Sequence, residues 1–232
     1  MSRSGSGTSG TKIDFGDLSA FAGLSAFSVG GWFYFNSLAS RQDVFTQWGN
    51  SGNRGFNLLV GVTASRAAFY FSNDGSAIYT TGADAISLVS GRWYHLGAKW
   101  NGSTVTLYRD GVAVVSAAAA FASMNNSTAG VRIGNGSETT ENPINGRASR
   151  VAAWSSALTD DQFQELGRNA SPATVAPGSL FFYAPLVGAS SPEPDVIGGA
   201  SGVVTSMTAA SDPPTLGGSS AFHPFRSRVF GA

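Results

Sequence analysis

Glu138 and Glu141, in the run NGSETTENP, are the two carboxylates whose closeness could suit hydrolysis of a sugar. Glycoside hydrolysis needs two carboxyl groups facing one cleft, about 5–9 Å apart. Odd spacing puts this pair on opposite faces of an extended segment. The surrounding Gly, Asn and Pro predict a solvated loop instead. Nucleophile–base chemistry needs a histidine placed by a third group. The chain has two, His95 inside the run RWYHLG and His223 just before Pro224. His95 reads as a packing or hydrogen-bonding residue in mid-strand, and His223 sits in a tail. There is no G-x-S-x-G elbow, no P-loop and no H-E-x-x-H. The chain has no cysteine, so disulfides and thiolate metal sites are excluded. These residues predict a protein that is not an enzyme and carries no cofactor.

Calcium would need several oxygens from carboxylates, amides and carbonyls. Asp14 and Asp17 flank a turn, and the loop 135–142 offers Asn135, Glu138, Glu141 and Asn142, without the acidic clustering of an EF-hand loop. Sugar binding would use exposed aromatics for stacking, with amides and carboxylates for hydroxyls. The candidates for such a rim are Trp48, Asn50 and Asn53 in WGNSGN, Asn73 and Asp74 at the next turn, Asn125 and Asn126, and the same Asn135, Glu138, Glu141 and Asn142. Tight turns also demand Asn, Asp and Gly, so ordinary turn chemistry remains the competing explanation.

The elements that must position these residues are strands. Asn101-Gly102 and Asp110-Gly111 separate three apolar runs, RWYHLGAKW, STVTLYR and VAVVSAA. Asn-Gly and Asp-Gly tolerate the positive φ of two-residue hairpin turns, so the runs predict a three-strand antiparallel meander. AFSVGGWFYF, at 26–35, is apolar on both faces. Phe27, Val29, Phe33 and Phe35 point one way, and Trp32 and Tyr34 the other, as in the centre of a sandwich. Further strands are expected at 12–15, 42–48, 56–60, 66–72, 77–81, 130–134, 145–155, 179–187 and 203–206. Turn-punctuated spacing of this kind is the signature of a sandwich or barrel. One short helix is expected near 159–167, where Thr159 and Gln162 form a capping box and Gly167 can end it.

The chain has 232 residues with zero formal net charge, and only 12% of them are charged, which argues against binding driven by phosphate neutralisation. Of its basic residues only Lys12 and Lys99 are lysine. Arginine is the cation that tolerates partial burial and partner contact. The segment MSRSGSGTSG has no apolar core, so no secretory signal is expected, and synthesis in a cytoplasm follows. No run approaches the ~18 apolar residues of a membrane span. Residues 1–10 are Gly/Ser-rich and predict a flexible arm, residues 11–206 one jelly-roll domain, and residues 207–232 a C-terminal arm. In that last arm Phe222, Phe225 and Phe230 alternate with His223, Arg226 and Arg228, a composition enriched at protein–protein interfaces.

Several pieces together resemble a known family. They are IDFGDLSAF at 13–21, FSVGGWFYF at 27–35, GRWYHLGAKWNGSTVTLYRDGV at 91–112, VRIGN at 131–135, INGRASRVAAWSSALTDDQ at 144–162 and LFFYAPLVGASSPEPDVIGGASG at 180–202. In this order they are similar to laminin-G-like domains of the concanavalin A-like jelly-roll superfamily. The last piece is similar to stand-alone members encoded by tailed bacteriophages. The resemblance implies an all-β antiparallel sandwich and a module that binds glycans or proteins, often with calcium held in rim loops. It also brings in glucanase relatives, whose E-x-D-x-x-E strand has no counterpart here, because Glu138-Thr139-Thr140-Glu141 lacks the middle Asp.

Residues and resemblance together lead first to a non-enzymatic virion structural protein. In that reading a rigid jelly-roll knob is attached to a phage particle by its terminal arms and touches other virion proteins or copies of itself. The alternative is a glycan-binding adhesion module, with calcium assistance left open and host-surface glycans as partners. Neither reading calls for nucleic acid or membrane, and the first places the protein on a virion surface.

Overall fold

The computed structural model describes residues 1–188 and 191–211. They form a two-layer antiparallel sandwich of two eight-stranded sheets. The strands are β1 (Ser2–Ser6), β2 (Lys12–Asp14), β3 (Phe27–Phe35), β4 (Gln42–Trp48), β5 (Arg54–Val60), β6 (Ala67–Phe71), β7 (Tyr79–Ala83) and β8 (Trp93–Trp100). They continue with β9 (Thr104–Arg109), β10 (Val112–Ala118), β11 (Val131–Ile133), β12 (Asn145–Trp154), β13 (Leu180–Ala184), β14 (Glu193–Pro194), β15 (Ser201–Thr205) and β16 (Met207–Ala210). The first sheet runs β10-β9-β8-β3-β12-β1-β16, and β13 shares the edge of β12 with β1. The second runs β14-β15-β2-β11-β4-β5-β6-β7. Among the described residues no helix is long and apolar enough to cross a membrane.

The meander forms as expected. Asp110 and Gly111 both take positive φ, 50° and 81°, between the paired Arg109 and Val112. The other turn is displaced by one residue. Asn101 and Thr104 close it, Gly102 takes φ 89° at its first central position, and the Asn101 Oδ1 accepts from the Ser103 and Thr104 amides. Asn101 therefore works through its side chain and not through a left-handed backbone.

Inward-facing aromatics fill the space between the sheets. Phe27, Phe33 and Phe35 of β3 and Trp100 of β8 meet Phe45, Phe56, Phe69 and Phe71 of the second sheet, all nearly inaccessible to solvent. A second, smaller core lies on the outer face of the first sheet. There helix α1 (Asp160–Gly167) stacks Phe163 on Tyr108 at 3.8 Å. Both capping-box bonds are made: the Thr159 hydroxyl accepts from the Gln162 amide, and the Gln162 side chain accepts from the Thr159 amide. The Tyr108 hydroxyl donates to Asp160, which also pairs with Lys99 at 2.7 Å, so one carboxylate ties helix and sheet together.

Residues 1–10 are not a free arm. Ser2–Ser6 pairs with β12 on one side and β16 on the other, and Ser2 and Arg3 are buried. The sandwich likewise continues past residue 206, since β16 begins at residue 207 and pairs with β1. The segment is locked by an ion pair. Arg3 Nε donates to Glu193 Oε1 at 2.5 Å, the Gly188 amide donates to the same oxygen, and both side chains are shielded from solvent. Glu193→Gln removes the charge that balances this guanidinium, which should cost roughly 3 kcal/mol in urea unfolding. Arg3→Met with Glu193→Leu together should recover most of it, and a double variant no better than Glu193→Gln would contradict the buried-pair account.

Candidate functional site

The outer face of the second sheet carries a polar system to which Asn50, Asn135, Glu138 and Asn142, four of the residues the sequence singled out, belong. β4 supplies Asp43 and Thr46, β5 supplies Arg54 and Asn57, and β11 supplies Arg132. The loop 135–142 folds over them. Asn135 closes that loop: its Oδ1 accepts from the amides of Gly136 and Asn142. The Ser137 amide donates to the Trp48 carbonyl, and the Thr139 amide to Asn50 Oδ1. A chain of charges runs beneath. Arg41 grips Asp43 at 2.9 Å and reaches Glu138 at 3.4 Å, while Arg54 approaches Glu138 from its other side at 3.9 Å. Asn142 Nδ2 donates to Asp43. Arg132 pairs with Asp14 at 2.7 Å and donates to the Gly136 carbonyl. Burial pushes the Asp43 carboxyl above its ordinary value, and the Arg41 guanidinium opposes that.

Several polar atoms under the loop have no hydrogen-bond partner among the described residues: Thr46 Oγ1, both amide atoms of Asn57, Asn135 Nδ2 and Ser137 Oγ. The Asn57 amide approaches Asp43 without reaching hydrogen-bond geometry. Such groups are costly to bury.

The rim residues therefore divide. Asn50, Asn135, Glu138 and Asn142 belong to this loop system. Asn53 braces a neighbouring turn, where its Oδ1 accepts from Ser127 Oγ and the Thr128 amide. Asp74 accepts from the Ser76 and Ala77 amides, and those bonds hold its carboxyl below the usual value. The Asn73 Oδ1 is buried without a partner. Trp48 is not an exposed stacking surface. It is 1% exposed, packed against Tyr70 and covered by the Arg54 guanidinium 5.5 Å from its ring. Glu141 stands apart, accepting from Ser9 Oγ and the Gly10 amide, which lower its pKa. The tail candidates Phe222, His223, Phe225, Arg226, Arg228 and Phe230 lie outside the described residues.

Sequence reasoning missed Arg41, Asp43, Arg54 and Arg132. The signal was an acid inside an otherwise alternating strand, QDVFTQW, whose burial demands a cation.

This rim does not suit hydrolysis. A general acid needs a raised pKa. Glu138 is pinned between two arginines, the Glu141 carboxyl is lowered, and Asp43, which is raised, is sealed from solvent. Nor do the residues of the 135–142 loop fit a calcium ion. A hard cation would have to displace Arg41 from Asp43 and Glu138, and Asn135 Oδ1 is already committed to two amides.

Beside the loop lie two open grooves. One, of about 530 Å³, is bordered by Ser9, Glu138, Thr139, Glu141 and Pro143. The other, of about 430 Å³, is bordered by Lys12, Asp14, Phe15, Val203 and Thr205. Glu141 of the first feels the charge of Lys12 of the second. Their borders offer acids, cations and hydroxyls held in place by ion pairs.

Residues 6–164 match the family described as the Concanavalin A-like lectin/glucanases superfamily. No sequence among curated proteins matches the chain. Among solved structures, a protein from Bacteroides ovatus ATCC 8483, described as a candidate carbohydrate binder, superposes with TM-score 0.69 at 17% identity. That match covers 93% of this chain and 62% of the other, so this chain spans less than two thirds of that relative's length. The CBM40 of the Ruminococcus gnavus IT-sialidase, bound to α2,3-sialyllactose, superposes with TM-score 0.56 at 15% identity, covering 72% of this chain and 98% of that one. Full-length tailspike protein 2 of the Escherichia coli O157:H7 bacteriophage CAB120 superposes with TM-score 0.53 at 15% identity, over 80% of this chain and 30% of the tailspike.

Proposed function

We propose that this chain, which belongs to the Concanavalin A-like lectin/glucanases superfamily, is a glycan-binding module that holds its ligand by side-chain contact and does no chemistry on it. The observation that carries this reading is the pair of open grooves near the 135–142 loop, one lined by Ser9, Glu138, Thr139 and Glu141, the other combining Lys12, Asp14 and Thr205 with the apolar Phe15 and Val203. Sugar hydroxyls are recognised by fixed donors and acceptors, and here ion pairing fixes them. Lys12 is a donor and Asp14 an acceptor in the second groove, while Glu138 and Glu141 are acceptors in the first. No large aromatic is exposed along the grooves, since Trp48 is buried and Phe15 is 6% exposed. Hydrogen bonding, not stacking, then carries the affinity. The likeness to carbohydrate-binding structures supports the same reading.

The test is a glycan array run in calcium and in chelator. The expected result is a specific set of glycans whose binding is the same in both, because Arg41 already occupies the place between Asp43 and Glu138. Lys12→Ala and Glu141→Gln should each weaken that binding about tenfold, close to 1.4 kcal/mol, the first without lowering the melting temperature and the second with a small drop, since Glu141 also accepts from Ser9 and Gly10. Binding that disappears in chelator would overturn the calcium-free site, and a silent array would overturn glycan recognition itself.

A second reading keeps the module on a virion, held by other virion proteins or copies of itself. The likeness to a phage tailspike favours that setting. A silent array, together with particle attachment that is lost on deleting residues 221–232, would establish it over the first.

A further inference from the structure

A cleft of about 200 Å³ lies beside the single-turn helix Ser19–Phe21, next to the second groove but sharing none of its lining residues. Asp17, Phe21, Phe181, Phe182, Asp195 and Gly198 line it, and no lysine or arginine does. Asp195 is 4% exposed. Its Oδ1 accepts from the amides of Tyr183, Ile197 and Gly198 at 2.9–3.1 Å, which fixes the carboxylate's orientation. Its Oδ2 takes no hydrogen bond and no ion pair among the described residues. Gly198 lies against that oxygen so closely that a Cβ there would stand 2.3 Å away. Asp17, at the mouth, is exposed and also has no cation partner among the described residues. The floor is aromatic: Phe21 meets Phe181 edge-to-face at 4.7 Å and Phe182 at 5.9 Å.

We propose that this cleft binds an alkylammonium group, with the charge between Asp17 and Asp195 and the alkyl part on the phenylalanines. A carboxylate oxygen that lines a cleft and takes no hydrogen bond or ion pair among the described residues favours a donor that also brings positive charge. Aromatic faces add attraction for the same charge and cover the apolar part. The other polar side chain in the lining is Ser19, so the cleft offers acceptors and one hydroxyl but no amide or base. That set is poor for a ring of sugar hydroxyls. It is equally poor for a calcium ion, which takes six to eight oxygens. At about 30 Å³ per water-sized unit, the cleft has room for roughly six or seven heavy atoms. The site is independent of the glycan grooves and stands or falls separately.

The full chain, labelled for amide NMR, is titrated with n-butylammonium, with choline, and with 3,3-dimethylbutanol as a neutral isostere of choline. The expected result is saturable movement of the Tyr183, Ile197 and Gly198 amides with one or both cations and none with the alcohol. Movement with choline alone would assign a quaternary headgroup, and movement with butylammonium alone a lysine-like primary amine. Asp195→Asn should weaken binding at least tenfold. Asp17→Asn, at an exposed position with no structural partner, should weaken it several-fold with an unchanged melting temperature, and it decides the matter if Asp195→Asn fails to fold. Equal movement with the neutral alcohol, no saturable movement with either cation, or movement with calcium chloride alone overturns the proposal.

Discussion

Gly146→Ala should leave no cooperative unfolding transition, or one destabilised by more than about 4 kcal/mol, in the rare tail of single-substitution effects. Gly146 sits in β12 where that strand pairs with Phe35 of β3 on one side and Gly5 of β1 on the other. A Cβ at this position would stand 1.9 Å from the Tyr34 carbonyl oxygen and 2.9 Å from its carbon. Backbone cannot rotate away as a side chain can, so relief requires parting β3 from β12 at the centre of the first sheet. Ordinary overpacking against side chains costs about 1–3 kcal/mol, and this clash lies beyond that regime. Its neighbour across the pair is constrained in the same way, since a Cβ on Gly5 would stand 2.5 Å from Thr11 Cγ2. Gly178→Ala is the control, because nothing lies within 4 Å of its Cβ position. The five tryptophans report unfolding by fluorescence in urea. A Gly146→Ala midpoint close to that of Gly178→Ala would show that the strand crossing is looser than its geometry implies.

That glycine pair also explains what was hard to see in the sequence. The segment SRSGS has no hydrophobic alternation, so period and propensity both point to a flexible arm. It is nevertheless a strand, buried between β12 and β16, where a Cβ on Gly5 would stand 2.9 Å from the Ile144 carbonyl oxygen. Local composition carries no record of a close approach between residues about 140 apart in the chain. By contrast, Asp110-Gly111 and the Thr159–Gln162 capping box were legible, since their hydrogen bonds close within a few residues. The alternation of Phe27, Val29, Phe33 and Phe35 against Trp32 and Tyr34 was legible because a strand's faces follow directly from its period of two.

The candidate site was half legible for the same reason. Asn50, Asn135, Glu138 and Asn142 announced a polar loop system, and they meet in one. Trp48 was expected to be a stacking surface but is covered by Arg54, a residue whose role depends on Glu138, 84 positions further on. A polar outward face reads the same in sequence whether water or a folded-over loop covers it. Only the acid in β4 distinguished the two, and its partner, Arg41, lies two residues away in a position that looks like ordinary loop.

Acidification from pH 7 to pH 5 should cost the protein about 2 kcal/mol through His95 alone, by proton linkage at about 1.4 kcal/mol per unit. The imidazole is 2% exposed on the outer face of the first sheet. It packs edge-on to Trp32 at 5.6 Å, among Arg150, Trp154 and Leu166 with no room for water. Its Nδ1 has no hydrogen-bond partner among the described residues. Burial disfavours the charged ring and pushes its pKa down from 6.5 to about 3. The unfolded chain takes up this proton near pH 6.5 while the folded chain resists until about pH 3. The unfolded state therefore binds more protons throughout that window, so stability is full above pH 6.5 and is lost as pH falls through it. Asp43 acts in the opposite sense, since its raised pKa lets the folded state accept a proton first. Most carboxylates titrate below pH 5, which leaves the interval from 6.5 to 5 to the histidine. His95→Gln should flatten the dependence of the urea midpoint on pH in that interval, whatever it does to stability at pH 7. An unchanged slope in the variant would place the acid sensitivity elsewhere and would mean that the ring accepts its proton inside the folded protein.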